Sequence, residues 1–239
     1  MELFYNESLN QNDESLILSS DETRHLRKVL RKKVGELIHV TNGKGLKWKG
    51  QIISNDGRRA SAKKTEATLQ QNQLIPLHIA IAPTKNIDRL EWFLEKVTEI
   101  GVTEITPLLC DHSERKTVKP ERLKKILVGG LKQSAQYFLP KLNSVIPFES
   151  FVKLDHPQTK LLAHCQKGNK TAFHQIENLC NEILIMIGPE GDFSDREIKT
   201  AQNYFFDTIT LGSQRLRTET AGIVACSKVA TLREISKIK

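Results

Sequence analysis

The chain has 239 residues, of which 38% are hydrophobic and 27% charged, and its formal net charge is +8. This composition excludes a disordered chain and allows one large domain or two modest ones. No apolar run exceeds about six residues and the N-terminus (Met1-Glu2-Leu3-Phe4-Tyr5-Asn6) has no basic-then-apolar pattern. The expectation is therefore a cytoplasmic protein without a membrane span or signal peptide.

Residues 1–68 read as mostly β. Leu16-Ile17-Leu18 is a short apolar run, and Ser20-Asp21-Glu22-Thr23 caps a short helix over residues 23–29. The exposed face of that helix carries Arg24, Arg27, Lys28 and Arg31. Residues 37–40 form a strand, Asn42-Gly43 signals a hairpin, and residues 48–53 return. Asn55-Asp56-Gly57 marks the next turn and residues 60–64 a third strand. Residues 24–64 hold thirteen Lys or Arg against Glu36 and Asp56, a net +11, so the rest of the chain is −3 by subtraction. Basic charge gathered in one small, hairpin-rich segment points to a polyanion partner, and to an RNA-binding barrel rather than a helical DNA reader. His25 reads as a capping or half-buried polar residue. The polar, aperiodic residues 65–74 read as a linker.

From residue 75 the pattern changes. Residues 77–82 form a near-continuous apolar strand, as expected with both faces buried. Asn86 or Asp88 caps a helix whose apolar face is Leu90, Phe93, Leu94, Val97 and Ile100, closed by Gly101. A strand at 105–109, a polar loop at 111–116 and a long helix from Pro120 to about residue 138 follow. Then come a weak strand at 143–146, a short helix at 149–153, a strand at 160–165 and a helix at 172–180. The apolar run Ile183-Leu184-Ile185-Met186-Ile187 breaks into Gly188-Pro189-Glu190-Gly191-Asp192-Phe193-Ser194. After a helical stretch, Ile209-Thr210-Leu211 breaks into a second glycine-bearing loop leading to a helix over residues 218–238. Alternating strands and helices predict a parallel α/β sheet over residues 75–239.

In open α/β sheets ligands bind outside the carboxyl ends of strands, so the two glycine-bearing loops are the candidate site. Glycine lets backbone approach a flat ligand closely, although the same residues also serve plain turns. No phosphate-loop motif, GxGxxG, HExxH or GxSxG occurs, which leaves no support for nucleotide hydrolysis, the usual dinucleotide fold, a zinc protease or a serine hydrolase. Cys110, Cys165, Cys180 and Cys226 lack CxxC spacing and an accompanying His cluster. They read as small apolar residues, and no metal is expected.

Residues 187–194, with Glu197 three residues on, resemble the IGPEGGFS signature of the RsmE family, methyltransferases of the SPOUT superfamily that act on small-subunit ribosomal RNA. Leu211-Gly212-Ser213-Gln214-Arg215-Leu216-Arg217-Thr218-Glu219-Thr220-Ala221 resembles that family's second C-terminal motif. His25 to Arg31, Lys85 with Asp88-Arg89, Glu95-Lys96, residues 99–102, Arg115 and Gln133-Ser134 match further elements in order. Three positions depart. Asp192 stands at a usual glycine, Gln214-Arg215 replaces Arg-Ile, and Lys132 replaces a Glu.

The resemblance implies a PUA-like RNA-gripping β-barrel at 1–68 and a SPOUT α/β domain with a deep trefoil knot at 75–239. It implies a homodimer that transfers a methyl group from S-adenosylmethionine to N3 of a uridine in 16S ribosomal RNA. It assigns the cofactor to Leu162, Ala163, His164, Ile187, Gly188, Pro189, Glu190, Gly191, Leu211, Gly212, Leu216, Arg217, Thr218 and Ala221. Arg217, Glu219 and Arg115, the last from a partner subunit, are the catalytic candidates, and Arg24, Arg27, Lys28, Arg31, Lys85 and Arg89 the RNA contacts. Glu219 reads equally as a base and as an acid favoured at a helix N-terminus. The alternative from another class is an RNA-binding protein that kept the fold and lost catalysis, for which Asp192 and Gln214 are the support.

Overall fold

A computed structural model describes residues 2–55, 58–72, 74–156, 159–176 and 182–237. The chain divides into two compact units, Met1–Gln73 with Val128–Leu139, and Leu74–Leu127 with Pro140–Lys239.

The first unit contains β1 (Leu3–Tyr5), β2 (Ser15–Ile17), α1 (Ser20–Arg24), a π-helical turn (His25–Val29), β3 (Leu37–Thr41), β4 (Leu46–Ser54) and β5 (Ser61–Leu69). They form a sheet in the order β1-β3-β4-β5-β2. Its core gathers Phe4, Leu18, Leu26, Ile38, Val40, Trp48 and Ile52. The Trp48 indole donates to the Asp13 carbonyl (3.1 Å), as a buried indole N–H requires. Room for the ring comes from Gly50, where a β-carbon would lie 2.3 Å from it. Ser19, one residue before the expected cap, accepts the Glu22 N–H and starts α1. Thr23 and Leu26 turn inward, which leaves Arg24, Arg27, Lys28 and Arg31 exposed. His25 is half-buried, edge-on to Phe4.

Two expectations change in this unit. The polar stretch read as a linker from residue 65 is strand to Leu69, because β5 pairs with β4 along its whole length. That pairing is a main-chain constraint, and side-chain periodicity does not report it. The helix expected to reach residue 138 stops at Gln133, with Ala135 in the left-handed region (φ 53°). The segment after it pairs with the β3–β4 turn. Gly45 N–H donates to Tyr137 O and Leu139 N–H to Gly43 O, both at 2.8 Å. The Asp56-Gly57 part of the predicted turn lies outside the described residues.

The second unit contains β6 (Leu77–Ile81), α2 (Ile87–Ile100), β7 (Glu104–Leu109), the start of α3 (Pro120–Gln133), β8 (Lys141–Leu142), β9 (Ile146–Pro147) and α4 (Phe148–Phe151). After these come β10 (Thr159–Ala163), β11 (Thr171–Ala172), a 3-10 turn (Phe173–Gln175), β12 (Ile183–Ile187), α5 (Asp195–Asn203), β13 (Asp207–Thr210) and α6 (Thr218–Lys237). The strand order is β11-β13-β10-β12-β6-β7-β8, with β9 on β7. Each of these pairings is parallel. β12 is buried at all five residues because β10 and β6 flank it, which accounts for its unbroken apolar run. The helix expected at 172–180 begins instead as β11 and a 3-10 turn, and residues 177–181 lie outside the described residues. Among the described residues no helix is long and apolar enough to cross a membrane.

α2 starts on the Asn86 side chain, which accepts the Asp88 N–H, and ends at Gly101 (φ 104°). It packs against α6 through Phe93. A β-carbon on Gly222 of α6 would sit 2.4 Å from the Phe93 ring and 3.2 Å from Ile81. Two effects of Gly222→Ala oppose each other. Alanine gains about 1 kcal/mol in helix propensity, whereas overpacking a buried contact costs about 1–3 kcal/mol. The ring is fully buried and has no open space to move into, so the second effect dominates. Gly222→Ala should lower unfolding stability by about 1 kcal/mol or more, read from the midpoint of urea denaturation; an unchanged or higher midpoint would show that the two helices separate without cost.

Candidate functional site

All strands of the second sheet run parallel, so the loops after β6, β7, β10, β12 and β13 emerge at one edge. A cleft of about 520 Å³ opens there, within the usual size of a small-molecule site. Three segments line it. Ala163, His164, Cys165 and Lys170 follow β10; Ile187, Gly188, Pro189, Glu190 and Asp192 end or follow β12; Thr210 to Thr218, with Ala221, lead from β13 into α6.

The loop after β12 is built on side-chain hydrogen bonds. Gly188 packs tightly on Phe193: a β-carbon there would lie 3.1 Å from the Phe193 backbone nitrogen and ring. Asp192 adopts a left-handed conformation (φ 64°) and its N–H donates to Pro189 O (2.9 Å). The Glu190 carboxylate accepts the Lys85 N–H (3.0 Å), and that of Asp192 the Cys165 N–H (2.8 Å). Ser194 and Glu197 form a capping box at the start of α5. Glu197 is buried, and its other oxygen accepts the Asp111 N–H (2.9 Å). The Asp111 carboxyl is held below its ordinary value by the Ser194 hydroxyl (2.6 Å) and by the Arg196 guanidinium (2.8 Å). From α6, the buried Thr218 hydroxyl donates to Gly188 O (3.0 Å) and joins the two glycine-bearing loops.

His164 lines the cleft. Burial lowers its pKa, and the nearby Lys170 ammonium lowers it further. Its Nδ1 is buried and meets no hydrogen-bond partner among the described residues. Lys170 donates to the His164 and Gln166 carbonyls (3.0 and 2.8 Å) and so clamps its own loop. The main-chain edges beside the glycines, the unpartnered Nδ1 of His164 and the acid Glu190 suit a ligand with a flat heterocycle, hydroxyls and a positive charge. Among the described residues no group of three or more His, Cys, Asp or Glu could hold a metal ion.

Of the residues assigned to the cofactor, Ala163, His164, Ile187, Gly188, Pro189, Glu190, Leu211, Gly212, Leu216, Arg217, Thr218 and Ala221 line the cleft. Leu162 and Gly191 do not. Alternation along β10 sends the Leu162 side chain into the core beside Leu184 and Met186. Gly191 packs on His112, to which a β-carbon would come within 3.0 Å. Arg217 lines the cleft and is exposed, and no ion pair or hydrogen bond engages its guanidinium among the described residues.

The other two catalytic candidates lie elsewhere. Glu219 is 5% exposed and faces Arg89 (Oε1 to Nε 3.9 Å), with Oε2 unpartnered among the described residues. Arg115 donates to the carbonyls of Thr84 (3.0 Å) and Lys85 (2.6 Å), which fixes it to the loop after β6 and away from the cleft. The Lys85 ammonium pairs with Glu114 (2.8 Å). Cys165, Lys170, Asp192, Thr210, Ser213, Gln214 and Arg215 also line the cleft, beyond the residues that the resemblance implies. Cys165 and Thr210 were within reach of the rule that ligands sit beyond strand ends, whereas nothing in the sequence singled out Lys170.

A family model described as an RNA methyltransferase domain matches residues 70–230, and one described as an RNA methyltransferase PUA domain matches residues 18–65. A ribosomal RNA small subunit methyltransferase E of Synechocystis sp. is 32% identical over 230 residues, which cover 92% of this chain and 74% of the relative. A probable rRNA-methyltransferase from Porphyromonas gingivalis has a TM-score of 0.91 at 34% identity, over 99% of this chain and 100% of that one. A ribosomal RNA small subunit methyltransferase E from Neisseria gonorrhoeae, solved bound to S-adenosyl methionine, has a TM-score of 0.87 at 27% identity, over 97% of this chain and 98% of that one. Matched along nearly its whole length in sequence and in backbone, the chain belongs to the ribosomal RNA small subunit methyltransferase E family.

Proposed function

We propose that the protein methylates N3 of a uridine in small-subunit ribosomal RNA, with S-adenosylmethionine held between the two glycine-bearing loops. The observation that carries this reading is the cleft itself, with an unengaged arginine, Arg217, beside the backbone edges that would read the cofactor. The bound cofactor would supply an electrophilic methyl group on a sulfonium. Gly188, Pro189, Leu211 and Gly212 would present main chain to its flat and hydroxylated parts, and Glu190 would place negative charge near its cationic ones. Uridine N3 becomes a nucleophile only as it loses its proton, and the developing charge spreads onto the uracil oxygens. Arg217 is the residue we assign to that charge, because it is an unengaged cation lining the cleft, free to turn toward the oxygens on which the charge develops.

Burial of Glu219 against Arg89 favours the helix-terminal acid over a base. It would orient Arg89 toward RNA, with Lys85 nearby. Arg115 would act in the cleft of a second copy, so the homodimer belongs to the proposal. So do the trefoil knot, which the return of β13 to the far side of β10 supports, and action in the cytoplasm on the ribosomal subunit. The exposed Arg24, Arg27, Lys28 and Arg31 would hold phosphates.

The reading is tested on small ribosomal subunits from cells lacking the protein. Incubated with labelled S-adenosylmethionine and the pure enzyme, they should gain N3-methyluridine by nucleoside mass spectrometry; no incorporation would leave the non-catalytic RNA-binding alternative. Arg217→Ala should lower kcat about 100-fold or more while cofactor affinity by calorimetry changes less than about twofold. Replacing Arg24 and Lys28 together by Ala should reduce the slope of log affinity against log salt by about 1.5 for single-stranded RNA. An unaltered slope would remove this helix from the RNA contact.

A further inference from the structure

Asp192 stands where the backbone itself would favour glycine, since its φ of 64° is a left-handed conformation that side chains rarely adopt. The side chain is fully engaged there. Oδ1 accepts the Phe193 N–H (2.9 Å) and Oδ2 accepts the Cys165 N–H (2.8 Å). Its own N–H goes to Pro189 O (2.9 Å), and its carbonyl meets His112 Nδ1 at 3.0 Å. The Cys165 bond joins residues far apart in sequence. It crosses from the loop after β12 to the loop after β10, and both residues line the cleft. Without it the Cys165 N–H, two residues beyond the last residue of β10, would lose its carboxylate partner.

We propose that Asp192 is a positioning residue for the cofactor, whose carboxylate locks the loop after β10 onto the loop after β12 and so fixes the main chain of Ala163 to Cys165 as one wall of the cleft. The proposal rests on the reading of this cleft as the S-adenosylmethionine site. Glycine is the informative replacement, because it keeps the left-handed backbone without strain and removes only the carboxylate. Asparagine keeps one acceptor oxygen, enough for the Cys165 N–H, and leaves the Phe193 N–H facing an amide donor.

The test measures S-adenosylmethionine and S-adenosylhomocysteine binding by calorimetry, steady-state kinetics, and amide hydrogen exchange at residues 163–166, in the full-length protein and in Asp192→Gly and Asp192→Asn. Asp192→Gly should weaken both ligands about tenfold, the loss expected for one hydrogen bond to a charged acceptor. It should raise KM for the cofactor more than it lowers kcat, and speed exchange at Cys165. Asp192→Asn should fall between it and the parent. Asp192→Gly with parental affinity and parental exchange would overturn the proposal. So would weaker binding of the cationic ligand alone with exchange unchanged, which would make the carboxylate a direct charge partner. A parental protein that binds neither ligand would refute the functional reading instead, while the exchange comparison would still report whether the two loops are locked.

Discussion

Backbone N–H groups at the ends of parallel strands have no ladder partner, and those near a ligand cleft cannot all be left to water. In this protein they are met by carboxylates. Lys85 N–H, past β6, goes to Glu190; Asp111 N–H, past β7, to Glu197; Cys165 N–H, past β10, to Asp192. All three acids lie within eight residues of one another, in the loop after β12 and the first turn of α5. The central strand therefore carries the fastening for its neighbours, and β12 is central because its five buried residues fill the space between β10 and β6. A hydrogen bond to a charged acceptor contributes about 1.5–3 kcal/mol. Three of them tie the loops after β6, β7 and β10 to the segment that follows β12.

This arrangement divides the charges by role. The acids around the cleft are engaged in holding main chain, and several nearby cations are engaged as well: Arg196 with Asp111 and Glu149, Lys85 with Glu114, Lys170 with two carbonyls. Arg217 is different, and so is its neighbour Arg215: both line the cleft as exposed residues whose guanidinium groups no ion pair or hydrogen bond engages among the described residues. A polyanionic substrate would meet a cation that forfeits no existing bond when it binds, which is the property a contact needs if its attraction is to appear at the reacting base. In the first unit, the inward turn of Thr23 and Leu26 leaves Arg24, Arg27, Lys28 and Arg31 exposed on the helical segment.

Much of this was legible in the sequence, and the failures share a cause. The apolar run of β12, the Gly101 stop of α2 and the two glycine-bearing loops are local patterns, set by residues within a few positions of one another. What could not be read depends on partners distant in the chain. β5 continues past the strand expected at 60–64 to Leu69 because β4 lies beside it, and residues 128–139 belong with the first unit because their backbone pairs with Gly43 and Gly45. Leu162 was assigned to the cofactor with its neighbours although strand alternation turns it to the core. Arg115 and Glu219 carry the right chemistry, but the Thr84 and Lys85 carbonyls hold the first and Arg89 faces the second. Residue type indicates what a side chain can do; tertiary hydrogen bonding decides whether it remains available.

Placement of Arg217 follows from how α6 is held. A helix of twenty residues spans about 30 Å, so small errors in its direction would displace its first turn considerably. Both of its ends are fixed. At the start, Thr218 donates to Gly188 O, and Gly222 lets the helix approach the Phe93 ring of α2. Near the other end the buried Arg233 donates to Gly101 O (2.7 Å) and to Ile75 O, where burial lowers its pKa below the ordinary arginine value. A buried guanidinium in this position is costly unless such carbonyls receive it; by receiving it, they tie α6 to the C-terminal end of α2 and to the entry of β6. Arg217, the residue before this doubly fixed helix, is thereby held at its positive end, where the helix dipole and the side chain act in the same sense on an anion entering the cleft.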